Sequence, residues 1–410
     1  MENILYGFAN SMFQSSKVGD CGESNWSNAI DNNKTTKSNV KISHWENWKN
    51  DIAQMKNNFR VSTYRMSIEW SHIEPIQGEY DHSILAKYME IIEYCISLQI
   101  EPMLTLHHFN EPMWFSEIGG FENEDNICYF VNFSKLVYEE LSMVKLWCTF
   151  NEPALYAFMG YLLGGFPPFK HNLNLTVTVL KNLLQAHVRV YFELKAIDDN
   201  RSIGIVHNVL IFKQLYTLDP ISYYLTSFFN RITNDLLIEF FSTGNFKYSR
   251  PLLGIYIEYN EPNAKISNDF IGLNFYANPV VGPNLANLYG ATCFSAQEMG
   301  DMYLPLDPDG FSSAIDLISS LAKPIYITEI GVADHTDLLR NKFIRQYINV
   351  IEKKVSDGCD IRGYYLWTFR DNYEWNQEAK LFGFHDIDGN ERPSCNILRE
   401  ILFANLLEYE

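Results

Sequence analysis

Basic residues are scarce in this sequence: 32 Lys and Arg stand against 50 Asp and Glu, giving a formal charge of -18 at pH 7 over 410 residues. Binding to a phosphate backbone or an anionic membrane draws on clustered Lys and Arg, so nucleic acid is not expected as a partner. Cysteine is sparse too. The seven (Cys21, Cys95, Cys128, Cys148, Cys293, Cys359, Cys395) are scattered, odd in number and never spaced as CxxC. That pattern suits reduced thiols rather than a disulfide framework or a zinc site. No apolar run approaches the length of a membrane span, and no basic lead-in opens "MENILYGFANSMFQ". The expectation is a chain with no integral membrane segment and a cytoplasmic location. Asn-x-Ser/Thr triplets at Asn25, Asn33, Asn132 and Asn174 are read as chance in so Asn-rich a chain. The local signatures GxSxG, GxxxxGK, GxGxxG and HExxH are all missing, which removes the familiar marks of a hydrolase triad, an NTPase, a dinucleotide binder and a zincin.

What is present is alternation. Short β-branched or aromatic runs occur at 4–9, 61–66, 102–107, 145–150, 202–207, 269–274, 324–329 and 361–367. Helical periodicities fall between and after them. One opens with Ser43 and Glu46 in capping-box spacing and lines up Trp45, Trp48, Ile52 and Met55. Others cover roughly 82–98, 127–141, 173–197, 220–242, 311–321, 336–356 and 395–407. Strict strand and helix pairing, with no linker dividing the chain, predicts a single (β/α)8 TIM barrel over residues 1–410. The long irregular segments 10–42 and 276–308 follow strands, and a barrel of this kind builds its site from such loops. The aromatic stretch within 223–241 reads as a barrel helix burying its apolar face rather than as a membrane-facing patch.

Glu152 follows the fourth strand and Glu329 ends the seventh, so a barrel would bring both carboxylates to one rim. Two carboxylates in one cleft divide roles, because each raises the cost of ionising the other. Hydrolysis of a glycoside needs that division. Taken alone, either Glu reads equally well as a salt-bridged structural residue. Other strand ends carry Gln14, Arg65, His108, Asn274, Tyr276 and Trp367, a mixture suited to sugar hydroxyls and to the apolar face of a sugar ring. Arg65 suits either an ion pair inside the barrel or a partner for one glutamate. His107 and His108 do not suggest a metal, since adjacent strand residues face opposite ways.

The chain resembles glycoside hydrolase family 1, the retaining β-glucosidase family, from about residue 6 to 395. The family's "TFNEP" stands at Thr149–Pro153, and its "TENG" becomes "TEIG" at Thr328–Gly331. "YRMSIEWSHIEP" (64–75), "TLHHFNEPMW" (105–114), "DFIGLNFY" (269–276) and "GYYLWTFRDNYEW" (363–375) follow in family order. The resemblance implies that Glu152 is general acid and then base, and that Glu329 is the nucleophile. It implies that Gln14, His108, Asn151, Glu374 and Trp375 grip sugar hydroxyls over Trp367, and that Arg65, Asn274 and Tyr276 support the nucleophile. No cofactor is implied, and the two carboxyls should lie about 5 to 5.5 Å apart. A terminal β-D-glucoside is the expected substrate. Gln14 and Glu374 accept either O4 epimer, which brings β-galactosides and β-fucosides within reach. The alternatives are a 6-phospho-β-glycosidase, which Glu374 opposes by repelling a phosphate, and a non-catalytic glycan-binding barrel. Ile330, Phe109, His72 and Leu381 depart from the family's usual Asn, Trp, Arg and Arg, and "QSSK" (14–17) lacks its Glu-Gly.

Overall fold

The structure, a computed structural model, describes residues 4–35, 40–283, 298–375 and 377–407. Cys293 and the stretch 284–297 lie outside the described residues.

Eight parallel strands close into a barrel. They are β1 (Leu5–Asn10), β2 (Thr63–Ser67), β3 (Glu101–His107), β4 (Leu146–Asn151), β5 (Ser202–Asn208), β6 (Phe270–Phe275), β7 (Ile325–Ile330) and β8 (Ile361–Leu366). Each pairs with its neighbour in sequence, and β8 closes on β1 with Gly7 opposite Tyr365. All eight expected strands are present in the expected order.

Strand periodicity builds two cores. Phe8, Tyr64, Leu104, Trp147, Ile205 and Tyr364 point outward into the large core shared with the helices, while Ala9, Met103, Cys148, Val206 and Tyr365 fill the barrel interior. Arg65 is the buried cation of that interior. His107 and His108 divide in the same way. His107 packs outside against Phe121, Phe130, Phe150 and Tyr156, whereas His108 faces the mouth.

The principal helices are α1 (His44–Phe59), α2 (His82–Ser97), α3 (Ile127–Glu140), α4 (Leu173–Ile197), α5 (Pro220–Asn230), α6 (Leu236–Thr243), α7 (Pro308–Ser319), α8 (Leu338–Ser356) and α9 (Ser394–Leu407). Several start at side-chain caps. Asn172 accepts from the Leu175 amide, Asp219 from Ser222 and Asp307 from Gly310.

Three local expectations change. The capping box at α1 does not form: the Ser43 hydroxyl donates to Asp20 and Glu46 pairs with Lys17 at 2.6 Å, so both side chains tie α1 to the loop after β1 instead. The single helix at 220–242 is two helices joined by a wider turn at Arg231–Asp235. Beyond it lies a hairpin that was not anticipated, Asn245–Arg250 with Ile255–Asn260. Phe229, Ile232, Leu236, Leu237 and Phe240 are buried along 223–241, as a barrel helix requires, although Tyr223 and Tyr224 are exposed. No described helix is long and apolar enough to cross a membrane.

Candidate active site

The C-terminal ends of the strands deliver the site, as the barrel geometry requires. Glu152 follows β4 directly, and its amide donates to Val206 O on β5 at 2.9 Å. Its backbone is left-handed (φ 48°, ψ 58°), and Pro153 then opens a short helix, Pro153–Ala157. Phe109 and Trp375, both at the same mouth, also have positive φ, 65° and 38°. Three such side chains around one cavity mark a place where packing holds the backbone in costly conformations. Gly331 has a related cause: a Cβ there would fall 2.3 Å from Trp367 O, so only glycine lets the ends of β7 and β8 approach this closely.

Glu152 and Glu329 are both buried in this mouth, in unequal surroundings. Arg65 Nη1 donates to Glu329 Oε1 at 2.6 Å, and the Tyr276 hydroxyl donates to Glu329 Oε2 at 2.7 Å. Burial lifts the Tyr276 hydroxyl well above its ordinary range, so it stays a donor. No cation forms an ion pair with Glu152 among the described residues. Asn274 Nδ2 donates to its Oε1 at 2.6 Å, and Asn208 bonds it as well. Burial, and then the charge of Glu329, hold the Glu152 carboxyl well above the usual carboxylate range; the two amides and Arg65 oppose this only in part. Arg65 spends its other donors on Asn151 Oδ1 (2.7 Å), Thr105 Oγ1 (3.1 Å) and Thr328 O (3.3 Å), which fixes the guanidinium across three strands.

The expectation that Asn274 supports Glu329 is corrected by these contacts. The Thr328 hydroxyl donates to Asn274 Oδ1 at 2.7 Å, which turns the amide nitrogen toward Glu152 and Asn151. Arg65 and Tyr276 both contact Glu329.

The expected sugar-binding residues come together around the same cavity. Asn151 Oδ1 accepts from Arg65 and from Asn274, so its Nδ2 is the atom facing His108 Nε2, at 3.2 Å. Burial and Arg65 push His108 well below its ordinary pKa. The neutral ring therefore accepts at Nε2 and carries its proton on Nδ1, a buried atom with no partner among the described residues. Gln14 Nε2 donates to Tyr373 O at 2.7 Å and to Glu374 Oε2 at 3.3 Å, leaving its buried Oε1 unpartnered. Trp367 Nε1 donates to Glu374 Oε1 at 3.0 Å. Burial and the nearby Glu329 push the Glu374 carboxyl up to about 8. Trp375 packs 4.7 Å from Trp26, and Phe109, in place of the family's Trp, meets it edge-on at 5.1 Å. Ile330 is fully buried in the outer core, where an apolar side chain fits.

The cavity encloses about 240 Å³ and also receives Asn208, which the sequence reading missed, together with apolar side chains from the rim loops. Asn208 ends β5 as Asn151 ends β4, so an amide closing a barrel strand was the available signal. No three-ligand cluster suited to a metal occurs among the described residues.

Comparison with known proteins agrees with this geometry. The family model described as Glycosyl hydrolase family 1 matches residues 2–400. A 6-phospho-β-galactosidase from Clostridium acetobutylicum is 26% identical over 444 residues, covering 94% of this chain and 92% of that protein. A 1,4-β-D-glucan glucohydrolase from Thermotoga neapolitana is 26% identical over 425 residues, covering 95% and 98%. Among solved structures, a β-glycosidase from Pyrococcus horikoshii superposes with a TM-score of 0.83 at 29% identity, covering 97% of this chain and 93% of that one. A β-glucosidase from Exiguobacterium marinum gives 0.87 at 25% identity, covering 99% and 98%.

Proposed function

Because the chain belongs to glycosyl hydrolase family 1 and is a glycoside hydrolase, we propose that it cleaves terminal β-D-glucosides with retention, Glu329 acting as nucleophile and Glu152 as general acid and then general base. The observation that carries this reading is the unequal pairing of two buried carboxylates. Glu329 lies 2.6 Å from the Arg65 guanidinium, while Glu152 has amide partners only and is held in its protonated form.

The chemistry follows from that inequality. Glu329 attacks the anomeric carbon as the glycosidic C–O bond breaks, and the departing oxygen takes the Glu152 proton. Esterification removes the Glu329 charge that held the Glu152 pKa up, so Glu152 now accepts a proton from water as that water attacks the glycosyl ester. Glucose leaves with its anomeric configuration kept, and both carboxyls return to their starting states. Tyr276 and Arg65 orient the attacking oxygen of Glu329. Gln14 Oε1 and the His108 Nδ1–H, an unspent acceptor and an unspent donor, provide for sugar hydroxyls, with Asn151, Glu374 and Trp375 beside them and Trp367 beneath the ring.

A sugar 6-phosphate, which the names of some relatives specify, would bring its charge into a cavity whose described lining holds no Lys or Arg to receive it. The unphosphorylated sugar is therefore the reading. Six described cysteines are free thiols, which supports a cytoplasmic setting.

The test is release of 4-nitrophenol from its β-D-glucoside by the purified chain, with Glu329→Gln alongside. Turnover by the parent chain that is lost in Glu329→Gln is the expected result. Turnover only of 4-nitrophenyl β-D-galactoside 6-phosphate would replace this reading with the phosphoglycosidase one. No turnover of gluco-, galacto-, fuco- or 6-phospho-substrates would leave a glycan-binding barrel.

A further inference from the structure

The described lining of the substrate cavity divides into a polar set, which includes Glu152, and an apolar set. Its polar side chains all belong to the carboxylate network or touch it. Phe109 and Phe382 pack against that polar set, beside Trp375 and Tyr276 at 5.1 and 5.8 Å. The rest of the wall, among the described residues, consists of Leu155, Met159, Phe166, Leu210, Met302 and Leu304, none with a side-chain hydroxyl, amide or charge.

Position relative to Glu152 gives this wall its meaning. In the proposed reaction the departing oxygen takes the Glu152 proton, so the first atoms of the leaving group lie beside that carboxyl. Leu155 and Met159 follow Glu152 by three and seven residues, Leu155 in the short helix that Pro153 opens and Met159 in the wider turn after it, and all three line the cavity. Leu210, also in the lining, comes two residues after Asn208, the other amide bonded to Glu152. Met302 and Leu304 enter from the segment after β6. Among the described residues, the lining that neighbours Glu152 or its Asn208 partner in sequence beyond the polar set is therefore apolar.

We propose, resting on the glycosidase reading above, that the leaving group this site is built for is an apolar alcohol, alkyl or aryl, and not a second sugar, and that Leu155, Met159 and Leu210 set the preference. A sugar placed there would bring several hydroxyls against side chains that neither donate nor accept, and each loses its water without replacement. An alkyl or aryl group gains from the same burial.

The experiment compares kcat/KM of the full chain for octyl β-D-glucoside, below its micelle concentration, with that for cellobiose. Both leave as alcohols that need the Glu152 proton, and the sugar hydroxyl of the disaccharide is the more acidic of the two, so a preference for the octyl glycoside reads the pocket and not leaving-group acidity. Octyl β-D-galactoside and lactose are run in parallel, so that a wrong sugar assignment is told apart from a wrong leaving-group assignment. The octyl glycoside should exceed the disaccharide on the order of 10²-fold for whichever sugar is accepted. Leu210→Asn and Met159→Gln should each shrink that ratio on the order of 10-fold, with thermal unfolding checking that the variants are folded. A disaccharide turned over as well as the octyl glycoside, or a ratio that neither variant moves, overturns the inference. Preference for octyl galactoside over lactose without glucoside turnover would keep it and displace only the glucose assignment. Turnover of none of the four would remove the glycosidase reading and this one together.

Discussion

Arg65 Nη1 lies 2.6 Å from Glu329 Oε1, with both side chains buried where the barrel interior meets the substrate cavity. The same guanidinium holds Asn151, which in turn faces His108. One cation therefore sets the position of the carboxylate proposed as nucleophile and of two groups proposed to bind the sugar.

Removing that cation should be costly twice. Arg65→Met leaves Glu329 as a buried carboxylate without its counter-ion, a loss of about 3–5 kcal/mol, and frees the carboxylate to rotate. The expected outcome is a fall in kcat of at least about 10²-fold together with an earlier urea midpoint. Arg65→Lys keeps the charge but cannot reach Glu329 and Asn151 together, so it should recover stability better than activity. Parent-like kcat in Arg65→Met would remove Arg65 from the account of Glu329.

The division between Glu152 and Glu329 makes a stereochemical prediction. Glu152→Ala keeps the proposed nucleophile and loses the proposed proton donor, so alkyl glucosides should suffer about 10²–10⁴-fold while 2,4-dinitrophenyl β-D-glucoside should still form the glycosyl-enzyme. Added azide then attacks that ester and should give β-glucosyl azide. Glu329→Ala with azide should give the α anomer instead, by one displacement. Proton NMR of the azide product distinguishes them, and exchanged anomers would reverse the two roles.

Much of this arrangement was legible before any coordinates. The strands could be read because each is a short β-branched or aromatic run bounded by helical periodicity, and "TFNEP" and "TEIG" fix their carboxylates at strand ends. Contacts chosen by competition were not legible. Asn274 reads equally well toward either glutamate until the Thr328 hydroxyl occupies its oxygen. Ser43 and Glu46 have capping-box spacing, yet Asp20 and Lys17 take them away. The hairpin at 245–260 alternates buried Phe246 and Tyr248 with exposed neighbours, but it follows a strong helical pattern without a clear break. The apolar wall is assembled from three separate rim segments, and no one of them signals it alone.

The pH dependence of activity should follow Glu152 on its alkaline side. Glu152 must carry a proton to release the leaving group, so activity is present below its raised pKa and is lost as pH rises through it. Asn274 donates to Glu152 at 2.6 Å and favours its charged form. Asn274→Ala should therefore move the alkaline limb of kcat/KM for an alkyl glucoside to higher pH, by about one unit, while lowering the plateau. A limb that moves to lower pH, or stays where it is, would separate it from Glu152.

Glu374 makes the corresponding prediction for stability. Its carboxyl is raised from 4.5 to about 8, by burial first and by the charge of Glu329 second. Between those two values the folded chain binds a proton that the unfolded chain has released, so stability falls as pH rises across that window. Glu374→Gln has no proton to lose, and its side-chain oxygen can still accept from Trp367 Nε1. The variant should match the parent in Tm near pH 4.5 and exceed it by about 2–4 °C near pH 8, while binding sugar more weakly. Differential scanning calorimetry at the two pH values measures this directly. A gain that is the same at both, or a lower Tm at pH 8, would mean that Glu374 is charged at no cost in the free protein, and that the carboxylates of this site do not compete for ionisation.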